Sequence, residues 1–187
     1  MIDIVRIFGG EIPCLSSFRF EINGLDEFNK VMDEWNDVEY LTDFFTRNES
    51  DLNSSFIGGI TIEEAVKETL DDVSALETKL MNLAQSSSTN NSGSGLDAMF
   101  KDLYNGVAVE LSPTKAYGVN KKRDSWLRIY AIKLGSNVYV ITGGAIKLTK
   151  TMGEREHTRE ELLKFKRCLN YLKETGVWDE WGLKDID

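Results

Sequence analysis

The chain has 187 residues, 41% hydrophobic and 10% aromatic, with a formal net charge of −9. That composition excludes a disordered polar chain and is enough for a sizeable core in one domain spanning 1–187. No run of about 18 uninterrupted apolar residues is present, and MIDIVRIFGGEIPC lacks the pattern of a secretory leader, so a cytoplasmic protein without a membrane contact is expected. Cys14 and Cys168 are too few and too far apart for a disulfide framework or a zinc motif, and buried reduced thiols are the plain reading.

In chain order, residues 2–8 (IDIVRIF) and 17–22 (SFRFEI) read as neighbouring strands, the second alternating Phe18, Phe20 and Ile22 with polar residues. Asn23-Gly24 breaks the run. Leu25, Phe28, Met32 and Trp35 then follow at helical spacing, with Asn23 a candidate cap, and Val38 to Asn48 continues as a helix with an aromatic face. Thr61 and Glu64 have capping-box spacing ahead of a long apolar stripe: Ile62, Val66, Thr69 or Leu70, Val73, Leu76, Leu80 and Leu83. Residues 85–95 (QSSSTNNSGSG) cannot bury enough apolar surface to repay ordering and are expected as a flexible loop.

Further on, Gly106–Leu111 reads as a strand closed by Pro113. Residues 126–133, 138–142 and 145–149 read as three strands joined by turns at Gly135-Ser136-Asn137 and Gly143-Gly144. Thr158 and Glu161 have the spacing of a second capping box, opening a helix with Leu162, Phe165, Leu169 and Leu172 on one face and an end near Gly176. Strands and helices segregate along the chain, which predicts an α+β fold: a small antiparallel sheet, a meander plus the N-terminal strands, packed against helices.

Charge is distributed unevenly. Residues 1–100 carry 6 Lys+Arg against 19 Asp+Glu, net −13, whereas residues 101–187 are net +4. Between Lys115 and Lys150, eight basic residues face only Asp124, a local balance of +7. Such an island concentrates attraction for a polyanion or an acidic protein surface. Period two places Arg128 and Tyr130 on one strand face and Lys147 on a face of the last strand, so the register decides whether the three meet. Guanidinium and ammonium groups clamp phosphate, and a tyrosine stacks on bases. The same residues also suit the solvated side of a small sheet.

Gly143-Gly144 lies between strands and lacks a phosphate-loop spacing. His157 is the only histidine and is expected at the surface, just before the Thr158 cap. Glu63-Glu64 and Asp71-Asp72 read as a solvated helix face. Neither a metal nor a cofactor is implied.

The stretch WLRIYAIKLGSNVYVITGGAIKLTKTM, residues 126–152, resembles the RelE/HigB-like toxin superfamily, particularly its phage-related branch. The likeness rests on Leu127-Arg128-Ile129-Tyr130, on Val138 to Ile141, on Ala145 to Lys150, and on the position of the following helix, and covers about residues 100–175. It implies a RelE-like core, here with an acidic helical elaboration, and a ribosome-dependent mRNA endonuclease held in check by an antitoxin protein. Arg128 then corresponds to the phosphate-contacting arginine and Lys147 or Lys150 to the basic residue of the last strand, with Tyr130 beside them. Lys121, Lys122, Arg123 and Lys133 are further candidates for nucleic-acid contact. The chemistry implied is attack of the RNA 2′-hydroxyl on the adjacent phosphate, which needs positioned charges and no metal.

Two features depart from the family: the length, and a pI near 4.8. The acidic first half is a candidate inhibitory cover over the basic island. Two other classes stay open: an interaction module using the Thr61–Leu83 helix and Trp178 and Trp181, and a phage or mobile-element regulator that binds nucleic acid without cutting.

Overall fold

The computed structural model describes residues 2–10, 13–88, 95–103, 111–120 and 124–184. Strands β1 (Asp3–Gly9) and β2 (Pro13–Arg19) pair antiparallel, and helices α1 (Glu27–Asn36), α2 (Val38–Arg47), α3 (Glu49–Leu52) and the long α4 (Ile62–Ser88) follow. Strands β3 (Lys101–Asp102), β4 (Ser112–Tyr117), β5 (Leu127–Gly135) and β6 (Val138–Ile146) come next, then α5 (Glu156–Thr175) and α6 (Glu180–Lys184). The six strands form one sheet in the order β1-β2-β6-β5-β4-β3. Its β4-β5-β6 portion is an antiparallel meander, but β2 runs parallel to β6, with Leu15 opposite Tyr139 and Ser17 opposite Ile141. The sheet is therefore mixed. A parallel pair requires a long crossover, and everything from α1 to β5 supplies it.

Both faces of the sheet are covered. On one, α1, α2 and α4 bury Trp35, Phe45, Val73, Leu76 and Leu80 against Leu15, Ile129 and Ile141. On the other, α5 buries Phe165, Cys168 and Leu172 against Phe18, Ile132 and Val140. Central strands covered on both sides read as nearly continuous apolar runs, as LRIYAI and VYVIT do.

The Thr61–Glu64 capping box forms: Glu64 N donates to Thr61 Oγ1 at 3.2 Å and Thr61 N to Glu64 Oε2 at 3.0 Å. Gly176 closes α5 at φ 74°. Other expectations shift. The second strand begins at Pro13 and stops at Arg19; Asn23 takes φ 64° in a turn, and Ile22 is left 68% exposed. Asp26, not Asn23, caps α1, accepting from Phe28 N at 3.0 Å and Asn29 N at 3.2 Å. The first residues of the loop expected from Gln85 are helical, because α4 continues to Ser88 with Ser86 and Ser87 donating to the carbonyls four residues back. Residues 89–94 lie outside the described residues, as do residues 106–110 of the expected Gly106–Leu111 strand. Pro113 is the second residue of β4 and does not end a strand; near a strand start it lacks only one ladder donor, and its carbonyl still accepts from Leu103 N at 2.9 Å.

The largest change concerns Gly143-Gly144, which is not a hairpin turn. β6 runs through it, and no separate strand forms over 145–149. Tyr130 pairs with Gly143 and Ala131 with Ile141, so Thr142 is an extra residue in a bulge. The second capping box also lies elsewhere. Thr151 and Glu154 form it, while Thr158 Oγ1 donates to the carbonyls of Met152 at 2.6 Å and Arg155 at 2.9 Å.

Gly143 has φ 150°, and a Cβ there would lie 2.3 Å from Glu161 Oε2. Gly143→Ala is therefore expected to destabilise the protein by about 1–3 kcal/mol. Gly153, with nothing within 4 Å of an added Cβ, should tolerate alanine to within about 0.5 kcal/mol. Denaturant midpoints of the two variants check this.

Candidate functional site

α5 covers only part of its sheet face. Beyond its N-terminal end, towards β4, lies a cleft of about 400 Å³. Three segments place its polar side chains. β4 contributes Lys115 and Tyr117, β5 contributes Arg128 and Tyr130, and the chain after β6 contributes Lys147 and Lys150. Register assembles the group: Lys115 lies opposite Tyr130 and Tyr117 opposite Arg128, and residues two apart on a strand share a face. Lys147 N donates to Trp126 O at 2.8 Å, which carries the pairing one step past β6. Leu103, Met152 and Leu162 make the apolar wall, and among the described residues lining the cleft none is acidic.

Two of the basic groups, Arg128 and Lys147, are held in place. The Arg128 guanidinium lies 4.0 Å from the Tyr117 ring centroid, and its Nη1 donates to Ser125 O and, at 2.8 Å, to Leu127 O. Lys147 Nζ donates to Thr149 O at 2.5 Å and Lys150 O at 2.6 Å. Burial pulls the pKa of both groups down, and for Lys147 the neighbouring Arg128 charge adds to it. An arginine stays charged regardless. Tyr130 is only 2% exposed, its hydroxyl has no hydrogen-bond partner, and burial pushes the phenol well above its usual range. It is therefore a neutral hydroxyl at the base of a cationic pocket. Cations gathered in one cleft favour an anion, and a phosphodiester matches the spread of donors.

Of the residues singled out from the sequence, Arg128, Tyr130, Lys147 and Lys150 thus meet in one cleft. Lys133 does not. It lies on the opposite face, 2.9 Å from Asp97 Oδ1 and over the Tyr139 ring, because it is an odd number of residues from Tyr130. Lys121, Lys122 and Arg123 lie outside the described residues. His157 is partly buried rather than at the surface, with Nε2 2.9 Å from Ile146 O and its ring edge-on to Phe44. Among the described residues no inhibitory cover lies over the cleft: the acidic helices α1, α2 and α4 pack on the other face, and none of their described residues lines it.

Three residues were not assigned a role from the sequence. Lys115 and Tyr117 follow from the alternation in SPTKAY, where Thr114 and Ala116 are buried, once Pro113 is read as a strand opening. Glu161 carried no such signal. β2 stops pairing with β6 at Ser17, and past that point Glu27 of α1 and Glu161 and Lys164 of α5 meet near the bulge. Lys164 Nζ bonds Glu27 Oε2 and, at 2.7 Å, Glu161 Oε1. Burial raises the Glu161 carboxyl to about 7 despite the Lys164 charge, and its Oε2 has no partner.

Among the described residues, no group of three or more His, Cys, Asp or Glu side chains is placed to hold a metal ion, and no helix is long and apolar enough to cross a membrane. No family model matches the chain, and no curated protein or solved structure shows significant similarity to it.

A carboxyl raised in the folded state binds its proton more tightly than in the unfolded chain. Its contribution is whole below the unfolded value near 4.5 and is lost as pH rises through about 7. Wild-type stability relative to Glu161→Gln should therefore fall between those limits, by on the order of 1–3 kcal/mol. Urea unfolding of both proteins across that pH range measures the difference.

Proposed function

We propose that the cleft is the active site of a RelE-like RNA endonuclease of the toxin type, cutting mRNA on the ribosome without a metal. One observation carries this reading: Lys115, Arg128, Lys147 and Lys150 converge with Tyr117 and Tyr130 in one cleft on three neighbouring chain segments. Arg128, Tyr130, Lys147 and Lys150 lie within the strand pattern of residues 126–152 that resembles the RelE/HigB-like superfamily, and the helix expected after them is present as α5.

The geometry suits cleavage by internal attack. Arg128 and Lys115 take the non-bridging oxygens of the scissile phosphate, whose negative charge grows as the O2′–P bond forms. The neutral Tyr130 hydroxyl donates to the same group. Lys147, with its pKa lowered by burial and by Arg128, is suited to giving a proton to the departing 5′-oxygen. Tyr117, partly exposed at the rim, offers a surface for a base. The products are a 2′,3′-cyclic phosphate and a 5′-hydroxyl. An antitoxin protein as partner and a cytoplasmic location belong to the same reading.

A protein-interaction module is the second reading, favoured by the exposure of Trp178 and Trp181, 45% and 58%, in the C-terminal segment.

Induced expression in cells separates the two. Wild type is expected to arrest growth and cleave mRNA, and Arg128→Ala and Lys147→Ala each to lower cleavage by about 10²–10³-fold while remaining folded. Intact mRNA beside soluble, folded wild-type protein would favour the interaction module.

A further inference from the structure

Helices α2 and α4 leave an apolar groove between them. On α4, Ile62, Val66 and Leu70 recur every four residues and line it over two turns, roughly 12 Å. On α2, Val38 and Thr42 line the other wall. Val38 is 56% exposed, and the Thr42 hydroxyl donates to Val38 O at 2.7 Å within its own helix. The groove encloses about 500 Å³, and among the described residues lining it only Glu63 and Lys67 are charged.

Its borders are acidic. Residues 37–47 and 62–72 carry eight Asp and Glu side chains against Arg47 and Lys67. Some of the carboxylates serve the fold: Asp37 caps α2, Glu64 caps α4, and Asp72 is buried and accepts from Asn120 Nδ2 at 3.3 Å. Glu39, Asp43, Glu63 and Asp71 instead stand exposed. Glu39, Asp43 and Asp71 directly follow the groove residues Val38, Thr42 and Leu70, so an acidic row runs beside the apolar one on each helix. Two copies of this chain meeting here about a two-fold axis would set these carboxylates against their like, which repels. A partner whose apolar residues are flanked by basic ones satisfies both rows.

We propose that the α2–α4 groove docks a basic amphipathic helix of a partner protein. Apolar side chains at positions i, i+4 and i+7 of that helix fill the groove, and Lys or Arg beside them meets Glu39, Asp43, Glu63 and Asp71. Burial of the apolar row supplies the attraction, while the charges select the partner and fix its register. The helices that form the groove pack on the sheet face opposite the cationic cleft, so the docked helix leaves that cleft open. The inference stands independently of the endonuclease reading, and it gives the acidic first half of the chain a role of its own.

The test is binding of labelled peptides of about 18 residues to the full chain by fluorescence anisotropy. One carries Leu at i, i+4, i+7 and i+11 with Lys at the flanking positions; the second is a scramble of the same composition; the third has Glu in place of each Lys. The ordered Lys peptide is expected to bind about tenfold more tightly than either of the others. Val38→Gln and Glu63→Lys, both at exposed positions, should each weaken it by about five- to tenfold with helix content unchanged by circular dichroism. Glu174→Lys, the same change of charge at an exposed position on α5, should leave the affinity within about twofold. Equal affinity for the ordered and scrambled Lys peptides, equal losses in Glu63→Lys and Glu174→Lys, indifference to Val38→Gln, or no binding would overturn the proposal. So would a wild-type dimer in sedimentation velocity that Val38→Gln dissolves, since the groove would then belong to a second copy.

Discussion

Register between β5 and β6 shifts where Thr142 enters as an extra residue, and every β6 side chain beyond that point changes face. Before the bulge, Tyr139 and Ile141 point into the core beneath α1 and α4; after it, Ile146 does so, and Ala145 turns towards α5. Because strands alternate with period two, one added residue inverts the whole remainder. Lys147 consequently emerges on the side of Arg128 and Tyr130. Without the bulge it would point into the opposite core, and the cleft would lose its third segment. The same irregularity leaves a glycine at 143, where Glu161 comes in close.

The charge asymmetry of the chain acquires a spatial meaning from this arrangement. Helices α1, α2 and α4 of the acidic first half pack on one face of the sheet, while the cleft of Lys115, Arg128, Lys147 and Lys150 opens on the other. An acidic protein can then present a cationic cleft with those helices on the far side of the sheet, and its overall field still opposes non-specific adhesion to polyanions. Association with a polyanion on these terms depends on local fit at the cleft, and the placement of Lys133 beside Asp97 keeps one basic residue of the island out of it.

Much of this was legible in the sequence. The capping box at Thr61, the apolar stripe of α4, the strands β1, β5 and the start of β6, and the stripe of α5 all follow from local pattern, because their signals span only a few residues. The grouping of Arg128, Tyr130 and Lys147 was visible too, although it was reached through a hairpin that does not exist. Two glycines between apolar runs suit a turn or a bulge equally, and only the pairing partner across the sheet decides. The parallel pairing of β2 with β6 joins residues more than 120 positions apart, beyond the reach of periodicity. Glu161 was hidden for a related reason: its spacing from Thr158 fits a cap, whereas its actual partner is Lys164, with Glu27 brought in from α1.

The central claim is that this cleft, and no other basic surface, binds a single-stranded polyanion, and the salt dependence of that binding tests it most directly. Each phosphate contact contributes about −0.7 to the slope of log K against log salt. With four cations in the cleft, the wild-type slope should be near −3, becoming shallower by about 0.7 in Lys115→Ala and in Arg128→Ala and unchanged in Lys133→Ala. A slope near zero, or one that moves with Lys133 and ignores the cleft, would contradict the account.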